Sequence, residues 1–211
     1  MNISLILRCD NVAKSYSGRN ILENISLELG AGVVALVGEN GTGKSTLIEL
    51  IAGIVNPDRG TIKILGADIK SRPIAARRAF SYVPDDLFAY EFLTGNEFLQ
   101  LICALRGVRM TETNLDFYRR LRLSEHLDKN VGEMSLGTQK KLMLASGLLG
   151  NSSLILMDEP TNGIDAGAKL VLAETIVNRG EDALVFFSTH DKEFIELTGA
   201  KVISLMDIQP K

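Results

Sequence analysis

One stretch constrains this chain more than any other: Gly38-Glu39-Asn40-Gly41-Thr42-Gly43-Lys44-Ser45. It follows Val33-Val34-Ala35-Leu36-Val37, a short apolar run rich in β-branched residues, and leads into Thr46-Leu47-Ile48-Glu49-Leu50-Ile51, whose apolar spacing is helical. The order is therefore strand, glycine-rich loop, helix, and the loop fits the G-x-x-x-x-G-K-[ST] phosphate-binding pattern. Gly38, Gly41 and Gly43 let the backbone curl so that consecutive N–H groups point at an anion. The helix starting at Lys44 adds the positive end of its dipole. Lys44 would pair with β- and γ-phosphates and the Ser45 hydroxyl would ligate Mg²⁺, with Asn40, Thr42 and Thr46 completing the candidate nucleotide contacts.

Composition bounds the remainder. At 211 residues and 45% hydrophobic, the chain can bury a full core as one domain with a smaller lobe. A net charge of −3 argues against a surface that coats nucleic acid, so no nucleic-acid partner is expected. The pairs Arg77-Arg78 and Lys140-Lys141 read as solvated faces. Cys9 and Cys103 lack metal spacing and sit among apolar residues, as reduced core thiols do. The N-terminus shows no basic leader before an apolar stretch, and no apolar run approaches the roughly 20 residues that cross a bilayer. These features describe a soluble cytoplasmic protein.

Along the chain, Ile3 to Cys9 and Ile25 to Leu29 read as strands, with Ser17-Gly18-Arg19-Asn20 as a turn between them. Leu27 and Leu29 alternate with Ser26 and Glu28, the mark of a sheet solvated on one face. The helix from Lys44 should end near Gly53, and Thr61 to Leu65 and Phe80 to Val83 are further short strands. From about Leu87 to Gly150 helical periodicity takes over. Thr94-Gly95-Asn96-Glu97 is a capping box. Phe98, Leu101, Ile102 and Leu105 then form one apolar face, ended by Gly107. Leu115, Tyr118 and Leu121 suggest a second helix, and Leu142, Ala145, Leu148 and Leu149 a third. Leu154-Ile155-Leu156-Met157 and Leu184-Val185-Phe186-Phe187 are continuously apolar, as buried parallel strands are, with a helix from Ala166 to Arg179 between them. The expected fold is α/β: a phosphate-loop NTPase core with a mixed sheet flanked by helices, an N-terminal antiparallel β subdomain, and a helical lobe. Residues 1–86 and 151–211 would form the core, and 87–150 the lobe.

A phosphate loop alone does not separate a kinase from a GTPase or a transporter motor. Leu154-Ile155-Leu156-Met157-Asp158-Glu159-Pro160 narrows the choice. An apolar strand ending in Asp158 beside the phosphate loop puts a carboxylate where Mg²⁺ needs a water-bridged ligand. Glu159, one residue on, is placed to polarise an attacking water as general base.

With these residues in order, the chain resembles the nucleotide-binding subunit of an ATP-binding cassette (ABC) transporter over about residues 3 to 205. Tyr16 matches the aromatic that stacks on adenine in that family, although a lone tyrosine also serves as a packing residue. Met134-Ser135-Leu136-Gly137-Thr138 occupies the place of the LSGGQ signature, which in the family binds the γ-phosphate held by a second cassette. Ser135 is equally an ordinary N-cap for the helix that follows, and Leu136 and Thr138 depart from the family's glycine and glutamine. Asn162-Gly163-Ile164-Asp165 stands where the family has its D-loop, and His190, in Ser188-Thr189-His190, matches the switch histidine. His126 has no such context and reads as surface. After Tyr82-Val83-Pro84 the family has a glutamine that senses Mg²⁺, but here stand Asp85-Asp86. Asp85 is expected to fill that place with altered geometry.

The resemblance implies two Mg²⁺-ATP molecules sandwiched between two cassettes. Lys44, Ser45, Asp158, Glu159 and His190 would come from one chain, and Ser135 and Gly137 from a second, identical or paired. It also implies an integral membrane transporter subunit, which would hold this chain on the cytoplasmic face of the inner membrane. The three aromatics of Leu87-Phe88-Ala89-Tyr90-Glu91-Phe92-Leu93 either border the groove for that subunit or pack the lobe onto the core. Leu93 to Leu99 is similar to cassettes of bacterial exporters. A non-transport cassette of the translation or DNA-repair type would share these motifs, but typically with two cassettes in one chain or a long coiled-coil insertion. A phosphate-loop kinase or GTPase would leave Ser135, Asp165 and His190 unexplained.

Overall fold

The computed structural model describes residues 5–86 and 90–209, so Ile3 of the first expected strand, and Leu87, Phe88 and Ala89 of the aromatic segment, lie outside it. Two sheets and their helices make up the fold. The N-terminal sheet is antiparallel and four-stranded, ordered β2 (Arg19–Leu29), β1 (Leu7–Tyr16), β4 (Arg59–Ile64), β5 (Ala67–Asp68). The second sheet is five-stranded, ordered β6 (Phe80–Val83), β7 (Leu154–Met157), β8 (Leu184–Ser188), β3 (Gly32–Val37), β9 (Lys201–Ser204). Its pairings are all parallel. The mixture of strand senses expected from the sequence is thus divided between two sheets.

β1 and β2 are longer than the apolar runs that signalled them. Their ladder carries register shifts, one of them across Asn11, and both Asn11 (φ 50°) and Asn24 (φ 49°) adopt left-handed backbone. Asparagine tolerates that region better than most residues, so polar bulges interrupt the alternation without ending the strands.

The parallel sheet separates two apolar cores. Leu154, Leu156, Leu184, Phe186, Val34 and Leu36 face the antiparallel sheet and α1 (Lys44–Ile51). Their alternates Ile155, Met157, Val185, Phe187 and Ala35 face α5 (Leu136–Gly147), α6 (Ala166–Gly180) and the lobe helices α3 (Gly95–Arg106) and α4 (Glu112–Arg120). Burial on both faces is why β7 and β8 read as unbroken apolar runs. Helices α2 (Pro73–Ala79) and α7 (Lys192–Thr198) complete the set. Phe98, Leu99, Phe117 and Tyr118 of the lobe belong to the same apolar cluster as Met157 and Phe187. The lobe therefore has no core of its own.

Two expectations change, and one helix is added. The buried face of α3 is centred on Phe98 and Leu99, whereas Leu105 is 75% exposed at the helix end. The helix turns that residue away from the core. Helix α2 left no periodic signal, being about two turns long and opened by Pro73 at its first position. Lys140 does not lie on a solvated face: it is 3% exposed, held between α5 and the end of β6. The capping box is present as read, with Thr94 Oγ1 accepting from Glu97 N–H (3.2 Å) and Glu97 Oε2 accepting from Thr94 N–H (2.8 Å). Gly107 ends α3 in a left-handed conformation (φ 65°). His126, on a short 3₁₀ turn, is half-buried.

Candidate active site

Parallel pairing brings the chemistry together. In register, Val83 of β6 lies beside Met157 of β7, Met157 beside Phe187 of β8, and Ser188 beside Leu36 of β3. The residues that leave these strands, Asp85, Asp158 and Glu159, His190, and the loop from Gly38, therefore emerge along one edge, the carboxyl end where α/β folds place ligands. There a cleft of about 470 Å³ is lined by Tyr16, Ile21, Asn40, Gly41, Gly43, Lys44, Ser45, Thr46, Asp85, Glu159, Asn162 and His190. Of the expected nucleotide contacts, Tyr16, Asn40, Gly41, Gly43, Lys44, Ser45 and Thr46 line it, whereas Gly38, Thr42 and the expected metal ligand Asp158 do not.

Gly43 sits before α1 at φ 106°, and a Cβ there would come within 2.9 Å of Ile21 Cγ2 and 3.1 Å of Leu22 Cδ2. Only glycine lets the loop turn into α1 while lying against β2. Thr42 Oγ1 donates to the Glu39 carbonyl (2.8 Å), bracing the loop from within. Lys44 is 6% exposed, and its ammonium donates to the carbonyls of Gly38 (2.9 Å) and Glu39 (3.3 Å). It is held at the loop's mouth by two weak neutral acceptors, which a phosphate oxygen can replace with a charge-assisted bond.

Glu159 stands at the centre. Its carboxylate lies 3.9 Å from Lys44 Nζ through Oε1 and 3.0 Å from His190 Nδ1 through Oε2. Its backbone is left-handed (φ 43°), a conformation that costs a non-glycine residue about 1–3 kcal/mol and persists only where the surroundings enforce it. What enforces it here is Ser188, fully buried at the end of β8. Its hydroxyl accepts from Glu159 N–H (2.9 Å) and donates to Asp158 Oδ1 (2.5 Å). One side chain thus fixes both acids. Sequence reading passed over Ser188 because a serine ending a strand signals nothing by itself; its significance comes from β8 lying beside β7.

Asp158 is 5% exposed, and among the described residues no lysine, arginine or histidine pairs with it. The site is negative around it. Burial first, and then the charges of Asp158 and Asp86, push the Glu49 carboxyl above its ordinary range, and burial followed by the Asp158 charge raises the Tyr82 hydroxyl. Ser45 hydroxyl and the Asp158 carboxylate, which has no basic partner among the described residues, are hard oxygen donors of the kind Mg²⁺ takes. Tyr16 lines the cleft at 44% exposure, with Lys14 Nζ over one face of its ring, 5.2 Å from the centroid.

Asp85 lies on the cleft wall, but its carboxylate is engaged by Lys140 Nζ (3.1 Å) and Asn162 Nδ2 (3.1 and 3.2 Å). Ser135 and Gly137 are not among the residues lining this cleft. Ser135 caps α5, its Oγ accepting from Thr138 N–H (3.2 Å). A Cβ on Gly137 would come within 2.9 Å of the Gly163 carbonyl, so this glycine is needed for packing within the chain. Asp165 caps α6 and pairs with Lys141 (2.5 Å); that contact, with the bond from Ala168 N–H, holds its carboxyl below the usual range. The two free cysteines are as expected, Cys9 buried and Cys103 half-buried.

Comparison with known proteins agrees with this geometry. The family model described as "ABC transporter" matches residues 22–162. The molybdate/tungstate import ATP-binding protein WtpC of Archaeoglobus fulgidus is 34% identical over 82% of this chain and 72% of its own. The SkfA peptide export ATP-binding protein SkfE of Bacillus subtilis is 29% identical over 96% and 86%. The ABC transporter ced-7 of Caenorhabditis elegans is 32% identical over 90% of this chain, which spans only 11% of that relative. The solved ATP-binding subunit of an ABC transporter superposes with a TM-score of 0.85 at 30% identity, covering 94% of this chain and 85% of that one. The loop at Lys44, the acids at the end of β7 and these matches lead to one conclusion: the chain belongs to the ABC transporter family and is its ATP-hydrolysing nucleotide-binding domain.

Proposed function

We propose that this domain works as one of a pair closing on two ATP molecules, and that it drives a separate membrane subunit of an exporter. The observation that carries the proposal is the position of Glu159, set between Lys44 and His190 on a cleft that Ser135 and Gly137 do not line. The triphosphate lies along the loop from Asn40 to Thr46, with adenine on Tyr16. Lys44 and His190 hold the γ-phosphate oxygens, and Glu159 takes the proton of the water that attacks phosphorus as the bond to ADP breaks. Ser45 and Asp158 are the residues that would hold Mg²⁺, which when bound would neutralise phosphate charge. The exposed N-terminus of α5, capped by Ser135, presents its dipole outward to the γ-phosphate in the second chain's cleft.

Exposed aromatics next to the lobe support a membrane partner. Tyr90 (55% exposed) and Phe92 (76%) stand with ring centroids 5.8 Å apart, so Phe92 does not pack lobe onto core. No helix among the described residues is long and apolar enough to cross a membrane; in this reading the transport path belongs to the separate membrane subunit, and this domain sits on its cytoplasmic face. Export is the direction supported by likeness to SkfE across nearly the whole chain; WtpC is named as an import protein, so direction is tested by transport in oriented vesicles.

Glu159→Gln tests the site. ATP binding should stay within about threefold and turnover should fall by about 10²-fold or more, the range in which a general base contributes. Multiple-turnover hydrolysis near the wild-type rate would remove Glu159 from that role.

A further inference from the structure

The mechanism leaves one strongly built feature unused, the buried ammonium of Lys140. Its Nζ donates to the carbonyls of Pro84 (3.2 Å) and Asp85 (3.1 Å) and to Asp85 Oδ1 (3.1 Å). Three acceptors for three donors satisfy the group fully. Among the described residues Asp85 is its one carboxylate partner. Both oxygens of that carboxylate accept from Asn162 Nδ2, Oδ1 being shared with Lys140, and Asn162 N–H donates to the Glu159 carbonyl (3.1 Å). An unbroken line of contacts therefore runs from α5, through the segment after β6, to the turn that carries Glu159.

We propose that Asp85 and Lys140 form a matched charge pair that locks α5 to the nucleotide core and, through Asn162, positions the Glu159 turn, with Asp85 acting through Lys140 and not as a metal ligand. The proposal rests on the reading of Glu159 as base only for its kinetic consequence; the lock itself is a property of the nucleotide-free chain. The two residues depend on each other. A lysine that is 3% exposed needs a countercharge, because an uncompensated buried ammonium costs far more than the pair does. An aspartate on a cleft that must receive a polyphosphate is repulsive unless its charge is held and offset. Lys140 does both from behind. Because Ser135 and Gly137 begin the same helix, movement of Lys140 would move the segment facing a second chain, and movement of Asn162 would move Glu159. Both are positioning residues.

A paired substitution tests this. The variants are Asp85→Gln, Lys140→Gln and the double variant, each read by thermal midpoint without nucleotide, by kcat and KM for ATP, and by Mg²⁺ titration. Asp85→Gln strands the buried ammonium and Lys140→Gln frees the carboxylate. Each single variant should lower the midpoint by about 5 °C or more and kcat by about tenfold, with KM within about twofold. The double variant replaces the ion pair by a neutral amide pair and should regain most of both losses. Its half-saturating Mg²⁺ concentration, and that of Asp85→Gln, should match the wild type. Additive losses in the double variant, or unchanged midpoints in the singles, would overturn the pair. A several-fold rise in half-saturating Mg²⁺ for Asp85→Gln would overturn it in favour of Asp85 as a metal ligand. The melting cycle needs neither ATP nor Glu159, so failure of the base assignment would leave it standing.

Discussion

The cleft between the phosphate loop and Glu159 and the junction between α5 and the core are built differently, although they share the same sheet edge. In the cleft, each part comes from a short run of sequence: loop and α1 from residues 38–51, both acids from the end of β7, the histidine from the end of β8. Backbone amides and strained turns do the positioning there. At the junction, Lys140, Asp85 and Asn162 are 55 and 77 residues apart in chain order, and charge does the positioning. Departures from the family's pattern are concentrated at the junction, at Asp85, Leu136 and Thr138. The phosphate loop tolerates little variation because its tight backbone is fixed locally, Gly43 against β2 and Thr42 bonded back to Glu39. Contacts between segments can change so long as they change together.

If that contrast is right, substitution of cleft residues that meet the ligand should lower kcat with little effect on folding, whereas substitution of the cleft's buried support or of the junction should affect both. The largest effect is that of Glu159→Gln, a loss of 10²-fold or more in turnover. Ser188→Ala comes next and probes the cleft's support. It strands Asp158 Oδ1 and Glu159 N–H at a fully buried position, and should cost about 1–3 kcal/mol of stability. By releasing the strained Glu159 backbone it should also lower kcat about tenfold. A variant that loses stability with kcat unchanged would show that Ser188 only packs.

The smallest effect belongs to the lobe. Thr94→Ala removes half of the capping box of α3 and should lower the thermal midpoint by about 2–4 °C while leaving kcat per folded molecule unchanged. The bond from Thr94 N–H, then that from its hydroxyl, holds the Glu97 carboxyl below the usual range. A depressed folded-state value means that Glu97's contribution is present at neutral pH and is lost as pH falls through the acid range. The midpoint difference between Thr94→Ala and wild type should therefore shrink in acid, as melting curves across pH would read.

What could be read from sequence follows the same division. The phosphate loop, the strands β7 and β8 and the capping box all declare themselves within ten residues, because local geometry dictates residue type at fixed spacing. Asp158 and Glu159 were legible because an apolar strand ended in two acids. Lys140 was not: a lysine pair has the composition of a solvated face, and its burial follows from α5 lying against the end of β6. Ser188 was hidden for a similar reason, since its partners are 29 and 30 residues away across a parallel pairing. Helix α2 was too short for periodicity to register, and Leu105 was misjudged because apolar spacing continued to the solvent-facing end of α3.

The central claim is that one chain carries half of each hydrolysis site and that Ser135 completes the other half across the pair. Sedimentation of Glu159→Gln with saturating ATP tests it most directly, against the same protein carrying Ser135→Arg as well. The account predicts an ATP-dependent shift from monomer to dimer for Glu159→Gln, and a monomer that still binds ATP for the double variant. Equal dimerisation of both proteins, or an ATP-saturated Glu159→Gln that stays monomeric, would contradict it.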